Sequence, residues 1–172
     1  MPTIRDLLAR KKSHAAQGGA AGGAESGAGG GAASGASGPD RVVTIAATAT
    51  VLEAAQLMTA RGIGGLVIPD GAGGAAGIFT ERDVLRRVVN DGRDPATTRI
   101  SEVMTAPVLA VSPDTALDEC RRLFTGRRIR HLPVVEGGRL TGVVTSGDLI
   151  AYEADEAKTT IEHLEGYLYS GR

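Results

Sequence analysis

The sequence predicts an α+β fold made of two copies of one strand–helix–strand–strand–helix unit related by a pseudo-twofold axis. Three observations predict it. Matching residues recur through the chain in register. Apolar runs of strand length alternate with stretches of helical periodicity. Glycine turns stand at equivalent places in the two halves. A chain of 172 residues buries one sizeable core or two small ones set together.

The repeat is explicit in the letters. Thr48-Ala49-Thr50-Val51-Leu52-Glu53 lies over Asp114-Thr115-Ala116-Leu117-Asp118-Glu119, and the register continues through Leu57 over Leu123, Arg61 over Arg127, Ile63 over Ile129 and Leu66 over Leu132. After a glycine turn one residue longer in the first copy, Gly77-Ile78-Phe79-Thr80-Glu81-Arg82-Asp83-Val84 falls over Gly142-Val143-Val144-Thr145-Ser146-Gly147-Asp148-Leu149. Ile4-Arg5-Asp6-Leu7-Leu8 also matches Ile100-Ser101-Glu102-Val103-Met104, the segment that precedes the second copy.

The elements follow in order. Thr3 to Leu8 reads as one short helix, with Thr3 as N-cap and Asp6 three residues on in a capping-box arrangement. Ala15 to Gly38 is nearly all Gly, Ala and Ser, which buries too little apolar surface to offset its ordering entropy. This stretch reads as a flexible insertion inside copy one, because Thr105-Ala106-Pro107 alone closes the same junction in copy two. Val42–Ile45 and Val108–Val111 read as strands. Val51, Ala54 and Met58, like Leu117, Cys120 and Phe124, recur on one helical face. Gly65–Ile68 and Leu132–Val135 read as second strands, each ending in a hairpin turn at Asp70-Gly71 or Glu136-Gly137-Gly138. A short third strand leads into a helix whose buried stripe is Val84, Leu85, Val88 and Val89. The organisation expected is therefore an N-terminal helix of repeat one (1–14), the insertion (15–40), repeat one (41–92), a linker with a short helix (93–107), repeat two (108–152) and a C-terminal helix (153–172).

Composition narrows the function classes. The net charge of −1 favours neither nucleic acid nor a membrane surface as partner. A single cysteine excludes an intrachain disulfide and a cysteine-cluster metal site. No apolar run approaches the roughly 20 residues of a membrane span, and no secretory leader is evident, so the expected location is the cytoplasm. Tryptophan is absent, so a bound base is expected between aliphatic side chains.

The chemistry concentrates at Thr80 and Thr145, where a strand turns into a helix. Unpaired N–H groups and the helix dipole favour an anion there. Asp83 and Asp148, three residues on, either close a capping box or take both hydroxyls of a ribose. Gly62-Ile63-Gly64-Gly65 lies between a helix and a strand, the reverse of a dinucleotide glycine loop. His14, His131 and His163 are dispersed, which argues against a metal site. Cys120 aligns with Ala54 on a buried face, where a thiol acts as a small apolar group. Arg121, Arg122, Arg127, Arg128 and Arg130 read as a solvated helix face with Arg130 the exception. No nucleophile and base stand at recognisable spacing, so the expectation is not an enzyme.

Gly77–Asp83, Arg130–Val144 and Ile100–Thr105 resemble the signature segments of the paired cystathionine-β-synthase (CBS) domain family, the Bateman module. The resemblance covers everything but the Gly/Ala insertion. It implies one pocket per copy, in the cleft between the two copies, and an adenosine-containing nucleotide (AMP, ADP, ATP or NAD(H)) as regulatory ligand, with no cofactor required. By the family pattern Asp83 and Asp148 hold ribose hydroxyls, Thr80 and Thr145 sit beside the ribose-phosphate, and backbone near Ile45 and Val111 reads the adenine edge. The remaining nucleotide-binding positions are Gly64, Gly65, Arg82, Arg130, His131, Pro133 and Gly147. Arg130-His131 stands where copy one has Gly64-Gly65, and Arg82 where copy two has Gly147, so two unequal pockets are expected. The resemblance also implies a homodimer. Its C-terminal helix carries an apolar stripe of Ile150, Ala154, Ala157, Ile161, Leu164 and Leu168. The alternative is a ligand-free interaction module working through that helix.

Overall fold

The computed structural model describes residues 1–17 and 42–169. Its elements are α1 (Ile4–Gln17), α2 (Val51–Arg61), β1 (Gly65–Pro69), β2 (Ala75–Thr80), α3 (Glu81–Asp83, continued as a π-helical segment over Val84–Val89), α4 (Ile100–Val103), α5 (Leu117–Arg127), β3 (His131–Glu136), β4 (Arg139–Thr145) and α6 (Ser146–Tyr169). The β1–β2 and β3–β4 hairpins are antiparallel, with Gly65 opposite Thr80 and His131 opposite Thr145. The expected α+β architecture with two equivalent units is present.

Each unit has its own apolar core. Val51, Ala54 and Met58 of α2 meet Leu66, Ile68 and Phe79 of the first hairpin. Leu117, Cys120 and Phe124 of α5 meet Leu132, Val134 and Val144 of the second. Alternate strand residues such as Leu66 and Ile68, or Leu132 and Val134, and the i, i+3, i+7 stripe on the helices produce these faces directly. At the head of α2, Thr50 and Glu53 exchange hydrogen bonds in a capping box. The equivalent N-cap of α5 is Ala116, which has no side chain able to do so.

The largest correction concerns the N-terminal segment. Ile4 and Leu7 are buried in the core of the second unit, and Ile100 and Val103 in the core of the first. The backbone repeats the exchange bond for bond. Ile4 N donates to Thr115 O as Ile100 N does to Ala49 O, and Leu117 N donates to Pro2 O as Val51 N does to Thr98 O. The pre-helix of each repeat therefore completes the other repeat. Close approach to a glycine makes this possible: a Cβ at Gly142 would lie 3.0 Å from Leu8 Cδ1, and one at Gly77 2.9 Å from Met104 Sδ.

Four further expectations are corrected. α1 runs to Gln17, beyond both the short helix and the boundary at residue 14, because Arg10 and Lys11 gain partners on α6: Arg10 pairs with Glu156 and lies 5.2 Å over the Tyr152 ring. The rest of the Gly/Ala insertion, 18–41, lies outside the described residues. Val42–Ile45 and Val108–Val111 form single parallel bridges, Thr44 to Val67 and Val111 to Val134, not full strands, because the chain turns into the next loop at Ala47-Thr48 and at Pro113. Leu85 and Val89 are 65% and 64% exposed, while Val88 is buried; i→i+5 winding, with Asn90 N on Leu85 O and Arg93 N on Val88 O, turns that stripe outward. Finally, the C-terminal helix is continuous with the last helix of repeat two, starting at Ser146.

Candidate functional site: two clefts at the repeat junction

The hairpins meet at Gly65 and His131. A Cβ on Gly65 would lie 3.4 Å from the His131 ring and 3.3 Å from Thr80 Cγ2, so a side chain there crowds both the imidazole and the threonine. Burial pushes the His131 pKa down, with Glu81 opposing, so the ring is neutral near pH 7. It separates two clefts and lines both.

The first cleft encloses about 700 Å³. One wall is the β2–α3 junction, with Thr80, Arg82 and Asp83, and the other is the end of α5 and the start of β3, with Arg127, Arg128 and Arg130. Asp83 Oδ2 accepts from the Thr80 N–H (2.9 Å) and hydroxyl (2.7 Å). Its Oδ1 accepts from Thr105 Oγ1 (3.3 Å) and lies 3.7 Å from Arg87 Nε. The carboxylate thus closes a capping box with one oxygen and meets Thr105 and Arg87 with the other, and all three residues line the cleft. Arg82 donates across the junction to Arg128 O. Arg128 has φ 52°, the left-handed C-cap conformation that Gly62 adopts at φ 60° in the first unit.

The second cleft encloses about 440 Å³. Thr145 lines it with Gly64, Gly65 and His131, together with Val42, Val43 and the α1 residues Leu8, Lys11 and Lys12. Asp148 Oδ2 accepts from Thr145 N (2.8 Å) and Oγ1 (2.8 Å) and from Lys11 Nζ (2.9 Å). It lies outside the cleft lining, in a depression shared with Lys11. The Thr-x-x-Asp pairs are thus equivalent in backbone but not in what reaches their carboxylates.

Of the sequence-predicted residues, Gly64, Thr80, Arg82, Asp83, Arg130 and His131 converge on the first cleft, and Gly64, Gly65, His131 and Thr145 on the second. Ile45, Val111, Pro133, Gly147 and Asp148 line neither. Ile45 is core, its N–H committed to Val67 O. Val111 donates to Pro133 O and accepts from Val135 N, so its backbone edge is spent on the sheet; Val42 and Val43 face the second cleft instead. The expectation of charge divided between two pockets is corrected too. Arg82 and Arg130 come from different copies but face one cleft, because each copy supplies one wall of the expected cleft between them. Arg127 and Arg128, which the sequence places on a solvated helix face, line it as well, as do Arg86 and Arg87. The signal available for Arg128 was its alignment with Gly62, a helix-ending glycine.

A family model for the CBS domain matches residues 40–90 and 100–155. The chain belongs to the CBS-domain family. It is 33% identical over 126 residues to the mitochondrial CBS domain-containing protein CBSX3 of Arabidopsis thaliana, covering 71% of this chain and 61% of that protein. It is 33% identical over 128 residues to the CBS domain-containing protein YhcV of Bacillus subtilis, covering 72% and 90%. The chain thus spans about six-tenths of the length of the Arabidopsis relative and nearly all of the Bacillus one. Among solved structures, a CBS-domain protein of Agrobacterium tumefaciens matches with TM-score 0.68 at 30% identity, covering 88% of this chain and 99% of that one. A candidate signal-transduction protein with CBS domains from Burkholderia ambifaria matches with TM-score 0.62 at 44% identity, covering 64% and 81%. The CBS pair places the chain among regulatory and sensor modules. Among the described residues, no helix is long and apolar enough to cross a membrane.

Proposed function

We propose that this CBS pair is a sensor that binds an adenosine-containing nucleotide at the repeat junction, with the first cleft as the principal site and no chemical transformation of the ligand. The observation that carries the reading is the Thr80–Asp83 pair on one wall of the first cleft facing Arg127, Arg128 and Arg130 on the other. A carboxylate oxygen for ribose hydroxyls and guanidinium forks for phosphate then stand across one volume large enough for a nucleotide. The walls belong to different repeats, so a ligand bridging them favours whichever relative placement of the two units fits it best, which is the requirement for a switch. The second cleft, with Lys11 on Asp148, offers a weaker variant of the same site.

Thermal unfolding of the full chain with AMP, ADP, ATP, NAD and NADH tests this. A ligand at about a hundred times its dissociation constant adds about 2.7 kcal/mol of stability. Asp83→Ala is expected to abolish the rise in midpoint and Asp148→Ala to leave most of it. No rise with any nucleotide, in folded and nucleotide-free protein, sinks the reading.

A second reading, self-association, is favoured by one observation. Leu85 and Ile150, at equivalent positions of the two repeats, are 65% and 67% exposed. We read these faces as a homodimer contact. A structural neighbour of 37% identity and TM-score 0.60 is described as a hexameric CBS-CP12 protein from cyanobacteria, which supports association as a habit of such modules.

A further inference from the structure

We infer that the first cleft is selective for a chain of three or more phosphates, bound as a bare anion without magnesium; the inference rests on the nucleotide-sensor reading and specifies the ligand class of that site.

Six arginines, Arg82, Arg86, Arg87, Arg127, Arg128 and Arg130, line the cleft against two carboxylates, Glu81 and Asp83. The chain as a whole has 19 basic and 20 acidic residues, so this excess is local. Elsewhere arginines are neutralised by neighbours: Arg5 by Asp114 and Glu136, Arg93 by Glu102, Arg121 by Asp118 and Glu153. Within the cleft, Arg82 is held on Arg128 O, and Arg87 on the carbonyls of Val103 and Met104. The guanidinium groups of Arg86, Arg127, Arg128 and Arg130 make no hydrogen bond or ion pair among the described residues. Four unpaired guanidiniums around one volume repel one another until an anion arrives.

Backbone conformation points the same way. Arg128 occupies a left-handed position, φ 52°, where the first repeat uses Gly62. That conformation is costly for a residue with a Cβ. Glycine would relieve the cost and remove a guanidinium from the cleft.

The charge count selects the ligand. A monophosphate carries roughly −2 at neutral pH and engages one or two guanidinium forks, leaving the others unpaired. A triphosphate chain, with roughly twice that charge, matches the four free cations and offers oxygens for several bidentate pairs. The same excess of positive charge repels Mg²⁺, which prefers carboxylates and water, so the metal competes with the cleft for the phosphate chain.

Isothermal titration of the full chain with AMP, ATP and inorganic tripolyphosphate, in EDTA and in excess magnesium, tests the inference. Expected are ATP at least about tenfold tighter than AMP, measurable binding of tripolyphosphate alone, and weaker binding of both phosphate chains in magnesium. Replacing Arg127 and Arg130 together (R127Q, R130Q) is expected to bring ATP to within about threefold of AMP. The thermal midpoint of the unliganded variant must not fall, so that lost binding is not lost folding. AMP and ATP binding equally, magnesium strengthening ATP binding, or a preference for ATP that survives the double substitution overturns the inference while leaving the nucleotide-sensor reading intact. Tripolyphosphate binding as tightly as ATP has the opposite result: the cleft's charge selectivity stands and the adenine requirement falls.

Discussion

His131 and Gly65 show how an exact duplication is broken at its own axis. Two equivalent positions face each other across the junction, and only one carries a ring. The prediction at this scale is a matched pair of substitutions. Gly65→Leu drives a side chain into the imidazole and is expected to cost about 1–3 kcal/mol of stability by urea unfolding, the usual range for overfilling a close contact. Adding His131→Gly should recover more than half of that loss. Failure of the second change to rescue the first would mean that the side chain at residue 65 collides chiefly with Thr80. Cys120 behaves as the sequence reading held: burial pushes its thiol pKa up to about 11, so it is a core atom and no nucleophile at neutral pH.

The informative unit at the level of elements is the exchanged pre-helix. α1 precedes the first repeat yet completes the second, and α4 does the converse. Helix propensity and amphipathicity are the same in either arrangement, since both place Ile4 and Leu7, or Ile100 and Val103, against a hairpin. What separates them is which hairpin each meets: Ile4 and Leu7 lie with Leu132, Val134 and Val144, and Ile100 and Val103 with Leu66, Ile68 and Phe79. Leu7→Ala, at a position only 2% exposed, is therefore expected to lower stability by about 2–5 kcal/mol and to expose amides of α5 and β4 to hydrogen exchange before those of α2 and β2. Equal loosening of both units would contradict the assignment of α1 to the second core.

For the whole molecule, charge and apolar surface are sorted to different places. Arginines collect in the first cleft, while Leu85, Val89, Ile150 and Ile161 remain exposed on the helices. Single exposed apolar residues need no explanation, but Leu85 and Ile150 are both exposed at equivalent positions of the two repeats, and a second copy presenting the same face would cover them as an isologous contact. Sedimentation of the wild-type chain is expected to give twice the chain mass, and the Leu85→Glu, Ile150→Glu variant the single mass, with nucleotide binding retained. A wild-type monomer at tens of micromolar would remove the dimer reading. Leu164 and Leu168, the far end of the proposed stripe, have side chains outside the described residues.

Periodicity and duplication carried the local information: the α2 and α5 stripes, the two hairpins and the Thr-x-x-Asp pairs were legible because each depends on residues within one or two turns of one another. The capping geometry of Thr80 with Asp83 followed for the same reason. Which core α1 joins, why Leu85 and Val89 face outward, and how Arg82, Arg86, Arg128 and Arg130 reach one cavity were not legible, because each depends on where distant segments lie. The repeats differ at Gly64-Gly65 against Arg130-His131 and at Arg82 against Gly147, so the sequence predicts two unequal pockets with the positive charge divided between them. The packing of the repeats against each other spends the backbone of Val111 on the sheet, puts Lys11 on Asp148, and gathers the charge of both copies into one cleft.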